Sequence, residues 1–428
     1  MKQLMIVLAF IAGSLFSFSQ KIDAVINSQE ALRIENILAA DAMQGRKTGT
    51  PGNERAALFI ADEFKRAGLE PLEGTSGFLQ KFVLVETKVR SSNIVLGGKK
   101  LEADRFIAIT PKRMLQVDEK TGYTIEYIKG GENFFDKAMA YLQAGKNQVV
   151  FVDNSFAKMF KRLNYFKKQL FANAPDVLFV LADEAPAAYL LEVVQEIDEQ
   201  QAQNVVGILP GKSKKDEYVI FSGHYDHLGI ADKPEKGDSI YNGANDDAAG
   251  TTAVIMLAKY FKELKTNERT IVFAAFTAEE IGGFGSQYFS RQFNPAKVMA
   301  MFNIEMIGTE SKWGKNSAYI TGYEKTDMGK ILEKNLKGSG FTFHPDPYTD
   351  QQLFYRSDNA TLARLGVPAH TISTSKMDSE ANYHQLSDEV STLDIKNMTE
   401  IIKAIAISST SIIKGADTPS RVNTAELK

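Results

Sequence analysis

The chain reads as an α/β protein, three layers deep, with a mostly parallel (mixed) sheet covered by helices on both faces and a smaller inserted α/β domain. Three observations predict this. From residue 204 onward, short apolar runs at 205–209, 218–222, 270–276, 298–306 and 367–372 alternate with helical patterns. Those runs are almost continuously apolar, as strands buried on both faces are. A length of 428 residues exceeds the usual size of one domain and predicts a large domain with a smaller companion.

At the amino end, Lys2 precedes an apolar run over 4–16, and Ser17-Phe18-Ser19 supplies a small-x-small pattern before Gln20. This predicts a signal peptide over 1–19 and an exported protein, periplasmic or secreted. The run is short for a membrane span, and no later stretch is long and apolar enough for one. Cysteine is absent, which excludes disulfides, thiolate zinc sites, a cysteine nucleophile and lipid attachment behind the leader.

The large domain is expected over 20–90 and 201–428. Residues 31–69 are largely helical in pattern, with Ala56, Phe59, Ile60, Phe64 and Leu69 near the 3.6 spacing after the turn Gly49-Thr50-Pro51-Gly52. Asn53 is the expected N-cap of that helix. Over 91–200 strand-like runs (93–96, 124–128, 149–152, 177–181) alternate with helical ones (134–142, 187–197), with no histidine among them. That stretch is read as an inserted accessory domain, the alternative being more of the main sheet. Its basic segment, Lys158, Lys161, Arg162, Lys167 and Lys168, is accounted for by a solvated helix face. A formal net charge of -3 gives no electrostatic case for nucleic acid as partner. Further on, Val254, Leu257, Ala258, Phe261 and Leu264 share one helix face, as do Ile395, Met398, Ile402 and Ile405.

Five metal-ligand types stand along the large domain in the order His224, Asp246, Glu280, Glu305, His384. Imidazole and carboxylate are the donors zinc takes, and one carboxylate can bridge two ions. Ligands bind beyond the carboxyl ends of strands in an open α/β sheet, and His224, Glu280 and Glu305 end or follow apolar runs. Each has a plainer reading: His224 as a core histidine, Asp246 or Asp247 as a helix cap, Glu279-Glu280 as an exposed acidic turn. Adjacent carboxylates at the end of an apolar strand are costly without cations or protons, which favours Glu280 as ligand and Glu279 as general base. Asp246 is assigned to metal and Asp247 to capping. Asp226 is expected to orient the His224 ring. His227 is read as supporting or structural, and His344 and His370 as structural.

The blocks Ser222-Gly223-His224-Tyr225-Asp226-His227-Leu228-Gly229, Gly243-Ala244-Asn245-Asp246-Asp247-Ala248-Ala249-Gly250 and Phe276-Thr277-Ala278-Glu279-Glu280-Ile281-Gly282 resemble the dizinc aminopeptidases of metallopeptidase family twenty-eight. So do Asn303-Ile304-Glu305-Met306-Ile307-Gly308 and Tyr383-His384-Gln385-Leu386-Ser387-Asp388, together with Gly45-Arg46 and Gly68-Leu69-Glu70-Pro71 near the amino end. The resemblance implies the zinc exopeptidase fold, related to phosphorylases, and two zinc ions bridged by Asp246. His224 and Glu305 would complete one site and Glu280 and His384 the other, with other divalent ions as substitutes. It implies Glu279 as general base, Asp226 beside the first histidine, and Tyr383 as an aid in polarising the substrate carbonyl. The place of 91–200 matches that of a protease-associated domain in many members. One departure stands out, because the family usually has aspartate where this chain has Glu305.

The expected activity is removal of N-terminal residues from a peptide, through a metal-bridging hydroxide and Glu279. Two other readings compete. Glutaminyl cyclases resemble this scaffold but use one zinc for acyl transfer, and five ligands exceed that need. A catalytically silent peptide-binding ectodomain would have lost ligands, whereas here the ligands and Glu279 are all present.

Overall fold

The apolar runs form the strands of one mixed sheet. In this computed structural model, residues 22–75, 77–235 and 237–427 are described, and the expected signal peptide at 1–19 lies outside them. The sheet strands are β1 (Tyr189–Leu209, through its C-terminal part), β2 (Lys214–His224), β3 (Arg269–Phe276), β4 (Val298–Ile304), β5 (Ser317–Ile320), β6 (Thr342–Pro345) and β7 (Ala369–Ser373). Their order is β6-β5-β7-β4-β2-β3-β1. The central neighbours β3, β2, β4 and β7 run parallel, while β1 pairs antiparallel with β3 and β5 with β7.

Alternate residues of each strand feed two cores. Val219, Phe221, Ile271, Phe273, Ala300 and Phe302 pack with helices α1 (Ser28–Leu38), α2 (Pro51–Arg66), α3 (Ala249–Leu264), α5 (Met328–Leu336) and α7 (Ile395–Ser408). Ile220, Val272, Ala274, Val298 and Met301 pack with α4 (Phe284–Ser290) and α6 (Asn359–Ala363). Phe221 lies among Phe261, Phe273 and Phe302, with ring centroids 5.5, 5.8 and 4.9 Å away. Truncating such a ring to alanine costs about 3–5 kcal/mol, so these side chains hold the strand ends that carry the site.

The chain divides into two compact units, Met1–Lys81 with Ala202–Lys428, and Phe82–Gln201. The second was expected over 91–200. It contains a four-stranded sheet in the order Phe106–Ile109, Val177–Leu181, Gln148–Val152, Thr124–Ile128, with the helix Phe134–Gln143.

Two local expectations are corrected. Residues 187–197 are extended, within Tyr189–Leu209, not helical. Tyr189, Leu191, Val193 and Gln195 are buried while the residues between them are more exposed, the period of two that a strand demands. Leu190–Val194 pair antiparallel with Met114–Asp118, and that pairing decides a pattern which also fits helical spacing. The second correction concerns α2, which begins at Pro51 with Thr50 as its cap. Proline suits the first helical position, so the cap falls at Thr50, three residues before Asn53, and Asn53 Nδ2 is left to donate to the Arg46 carbonyl at 2.9 Å.

Candidate metal centre and active site

Parallel register places the predicted ligands at one end of the sheet. His224 ends β2 opposite Phe276, the last residue of β3, so Glu279 and Glu280 emerge beside it. Ser222 pairs with Asn303 and Ile304 with Ile372, which puts Glu305, the first residue beyond β4, at the same level. Asp246 lies in the tight turn Ala244–Ala248 that leads into α3. His384 comes from the loop after β7.

These residues converge. His224 Nε2 lies 3.2 Å from Asp246 Oδ1, and His384 Nε2 lies 3.2 Å from both Asp246 Oδ2 and Glu280 Oε2. His227 Nδ1 is 2.7 Å from Glu280 Oε1 and 4.0 Å from Asp246 Oδ2. Two groups result, His224–Asp246–Glu305 and His227–Asp246–Glu280, each with its donor atoms within 4.8 Å of one another. Asp246 is common to both.

Metals fit this arrangement. Zinc bonds of about 2.0–2.2 Å in tetrahedral geometry set ligand atoms about 3.3–3.5 Å apart, close to the three separations of 3.2 Å. The Nε2 atoms of His224 and His227 are buried and, among the described residues, make no hydrogen bond, which leaves both ring nitrogens for a partner such as a metal. The charge balance points the same way. The carboxylates of Asp246 and Glu280 push His384 up to about 10, and Asp246, Glu279 and Asp247 overcome burial to hold His224 well above its usual value. An excess of negative charge is thus waiting for cations.

Glu279 belongs to this excess. Burial, together with Glu305, Asp358 and Glu280, pushes its carboxyl well above the usual range, against the pull of His224. Burial likewise pushes Glu305 up to about 7. Tyr383 stacks its ring on His384 at 4.0 Å, and burial raises its phenol pKa.

Asp226 does something other than expected. Its nearest carboxylate oxygen is 3.8 Å from His224 Nδ1, too far for a hydrogen bond, and the ring nitrogen meets the Asp226 main-chain carbonyl at 3.2 Å instead. The carboxylate accepts the amides of Glu279 at 3.1 Å and Glu280 at 3.3 Å, along with the Thr48 hydroxyl at 3.1 Å. It therefore fixes the acidic turn rather than the imidazole tautomer. Asp247 accepts from Gly250 N at 3.0 Å, a capping contact, and also from His224 N and Met306 N, tying two strand ends to the turn. His344 stacks on Trp313, and buried His370 bonds Thr321 and Thr326, both away from the converging ligands.

Several supporting residues carry no sequence pattern. Arg46 is fully buried and donates to the carbonyls of Leu38, Tyr225, Asn242 and Gly243, clamping the chain on either side of two ligand-bearing loops. Asp388 accepts the amides of Asn245 at 2.8 Å and Asp246 at 3.0 Å. Asp358 adds a buried carboxyl raised by desolvation. The Gly45-Arg46 and Tyr383–Asp388 blocks contain two of these residues, but bonds to main-chain groups leave no spacing signature from which their roles could be read.

The loops are also held in unusual backbone. Ala278, Met306 and His384 have φ of 60°, 53° and 57°, a region that non-glycine residues enter at a cost of about 1–2 kcal/mol each. Ala278 and Met306 adjoin Glu279 and Glu305, and His384 is itself the last candidate ligand. At Gly243, φ is 56° and a Cβ would come within 2.4 Å of the Asp246 carbonyl, so only glycine serves there.

Fold and site together define an α/β protein whose strand-end loops gather a histidine–carboxylate metal centre. Residues 204–408 match the family model of peptidase family M28. Among curated relatives, aminopeptidase YwaD of Bacillus subtilis is 24% identical over 298 residues, covering 65% of this chain and 61% of that protein. A probable zinc metalloprotease of Pyrenophora teres is 38% identical over 106 residues, 24% of this chain and 22% of the relative. The matched part is thus less than two thirds of either relative. The fold resembles an aminopeptidase from Aneurinibacillus sp. strain AM-1, with a TM-score of 0.56, 16% identity and coverage of 95% and 98% of the two chains. It also resembles a zinc aminopeptidase from Bacillus subtilis, with a TM-score of 0.55, 15% identity and coverage of 93% and 98%.

Proposed function

We propose that this chain is a zinc-dependent exopeptidase that removes N-terminal residues from peptides, using two zinc ions held around Asp246. The observation that carries the reading is the shared carboxylate: Asp246 belongs to both donor groups. His224 and Glu305 would complete one site, and Glu280 with His384 the other. His227, 2.7 Å from Glu280, is placed to orient that ligand. Bound zinc supplies a water whose pKa falls towards ~7 and a Lewis acid for the carbonyl.

The chain's own groups supply the rest. Glu279 takes the proton from the attacking water and delivers it to the departing amine as the carbon–nitrogen bond breaks. Its high proton affinity arises from burial and then from neighbouring carboxylates, and cations among those carboxylates would offset the repulsion. Asp226 keeps the Glu279 and Glu280 amides in place, and Tyr383 stacks its ring on His384. The aminopeptidase names of the relatives support the choice of chain end. The leader-like pattern over 1–19 supports action outside the cytoplasm, and no described helix is long and apolar enough to cross a membrane.

The test is hydrolysis of aminoacyl p-nitroanilides against the same substrates capped at the amine, with zinc, with chelator, and with Glu279→Gln. Free-amine substrates alone should be cleaved, and chelator or the substitution should stop it. Cleavage of capped substrates, or cleavage indifferent to chelator, would overturn the proposal.

A further inference from the structure

A small open pocket with a cavity volume of about 40 Å³ borders the metal centre, sharing Glu305 and Tyr383 with it. Leu353, Tyr319 and Met377 give it apolar walls, and Arg356 stands in its lining as the one cation. The Arg356 side chain is exposed, and among the described residues it has no ion-pair partner. Glu305, the carboxylate in the same lining, instead groups its donor atom with those of His224 and Asp246. A second cation lies nearby: Lys312 stands 5.9 Å over the Tyr348 ring, which packs on Tyr319 of the pocket wall at 5.6 Å.

An unpaired guanidinium beside an apolar pocket calls for a planar anion of matching geometry, which a carboxylate provides through two parallel hydrogen bonds. The peptide-hydrolysing reading places the reacting carbonyl at the neighbouring centre, and this inference rests on that reading. We propose that Arg356 receives a carboxylate of the substrate and makes the enzyme selective for peptides that carry one there. Two sources share this chemistry: the side chain of an acidic N-terminal residue, and the chain-end carboxylate of a very short peptide.

The experiment separates them. Glutamyl and glutaminyl p-nitroanilides differ only in the side-chain charge, and Ala-Ala and Ala-Ala amide differ only at the chain end. For wild type, one of these pairs should show kcat/KM at least about tenfold higher for the carboxylate member. Arg356→Gln should bring that ratio to about one, and Arg356→Glu should invert it, with zinc content and thermal midpoint measured to exclude misfolding. A high first ratio identifies the side chain as the source, and a high second ratio the chain end. Both ratios near one in wild type, or a high ratio unmoved by Arg356→Gln, would overturn the inference while leaving the peptidase reading intact. Calorimetric titration of zinc-loaded protein with free glutamate and glutamine, and with the two alanine dipeptides, gives a readout independent of turnover. Discrimination there without hydrolysis would sink the peptidase reading and keep the subsite.

Discussion

Two carboxylate clusters in the large unit resolve their charge in opposite ways. Between α1, α2 and α3, Glu30 and Glu63 are tied by Arg33 and Lys259, with Arg33 2.9 Å from the buried Glu63 and Lys259 2.6 Å from Glu30. At the strand ends, Asp246 and Glu280 are ion-paired among the described residues only with histidines, and Glu279, Glu305 and Asp358 with no Lys or Arg. Where the chain supplies its own cations, a buried acid is part of the scaffold. Where it withholds them, the acids are left to take up something from solution.

The largest effect expected at the uncompensated cluster is on Glu279. Its replacement by glutamine should lower kcat by about 10²–10⁴-fold while zinc content stays that of wild type. Loss of metal along with activity would make Glu279 a ligand rather than a base.

Arg46 sharpens the contrast, because it is a cation set among the loops of the candidate metal centre yet spends its hydrogen bonds on carbonyls. Arg46→Met should cost about 3–5 kcal/mol in denaturant unfolding, since buried carbonyls lose their donors. A change below about 1 kcal/mol would mean that the clamp is dispensable.

Glu305→Asp is a milder probe. Withdrawing the carboxylate by about one carbon–carbon bond (~1.5 Å) from donors grouped for its present length should weaken one metal about tenfold and spare the other. Equal weakening of both would deny that the two groups are separate sites.

The smallest effect belongs to the compensated cluster. Arg33, with Lys259, holds Glu30 down at about 2 against the opposing push of burial. A carboxyl depressed in the folded state contributes stability above its unfolded value of about 4.3, and that contribution fades as pH falls towards 2. Glu30→Gln should therefore cost about 1–2 kcal/mol at pH 7 and almost nothing near pH 2. A pH-independent difference would assign the effect to packing.

Much of this was legible in the chain because it is written in side-chain type and period. Continuous apolar runs gave the central strands, and acids or a histidine at their ends gave His224, Glu280 and Glu305. The misses have a common physical origin. Residues 187–197 satisfy two periods at once, and only pairing with Met114–Asp118 selects the strand. Asp226 was assigned by adjacency to His224, yet its carboxylate turns to the amides of residues far along the chain. Arg46 and Asp388 act on main-chain groups, whose positions exist only once the loops are folded.

Elemental analysis of the purified protein, equilibrated with zinc and freed of excess, tests the shared role of Asp246 most directly. About two ions per chain are expected in wild type, with both lost or greatly weakened together in Asp246→Asn. A single ion in wild type, or a substituted protein that retains the full complement, would contradict the account.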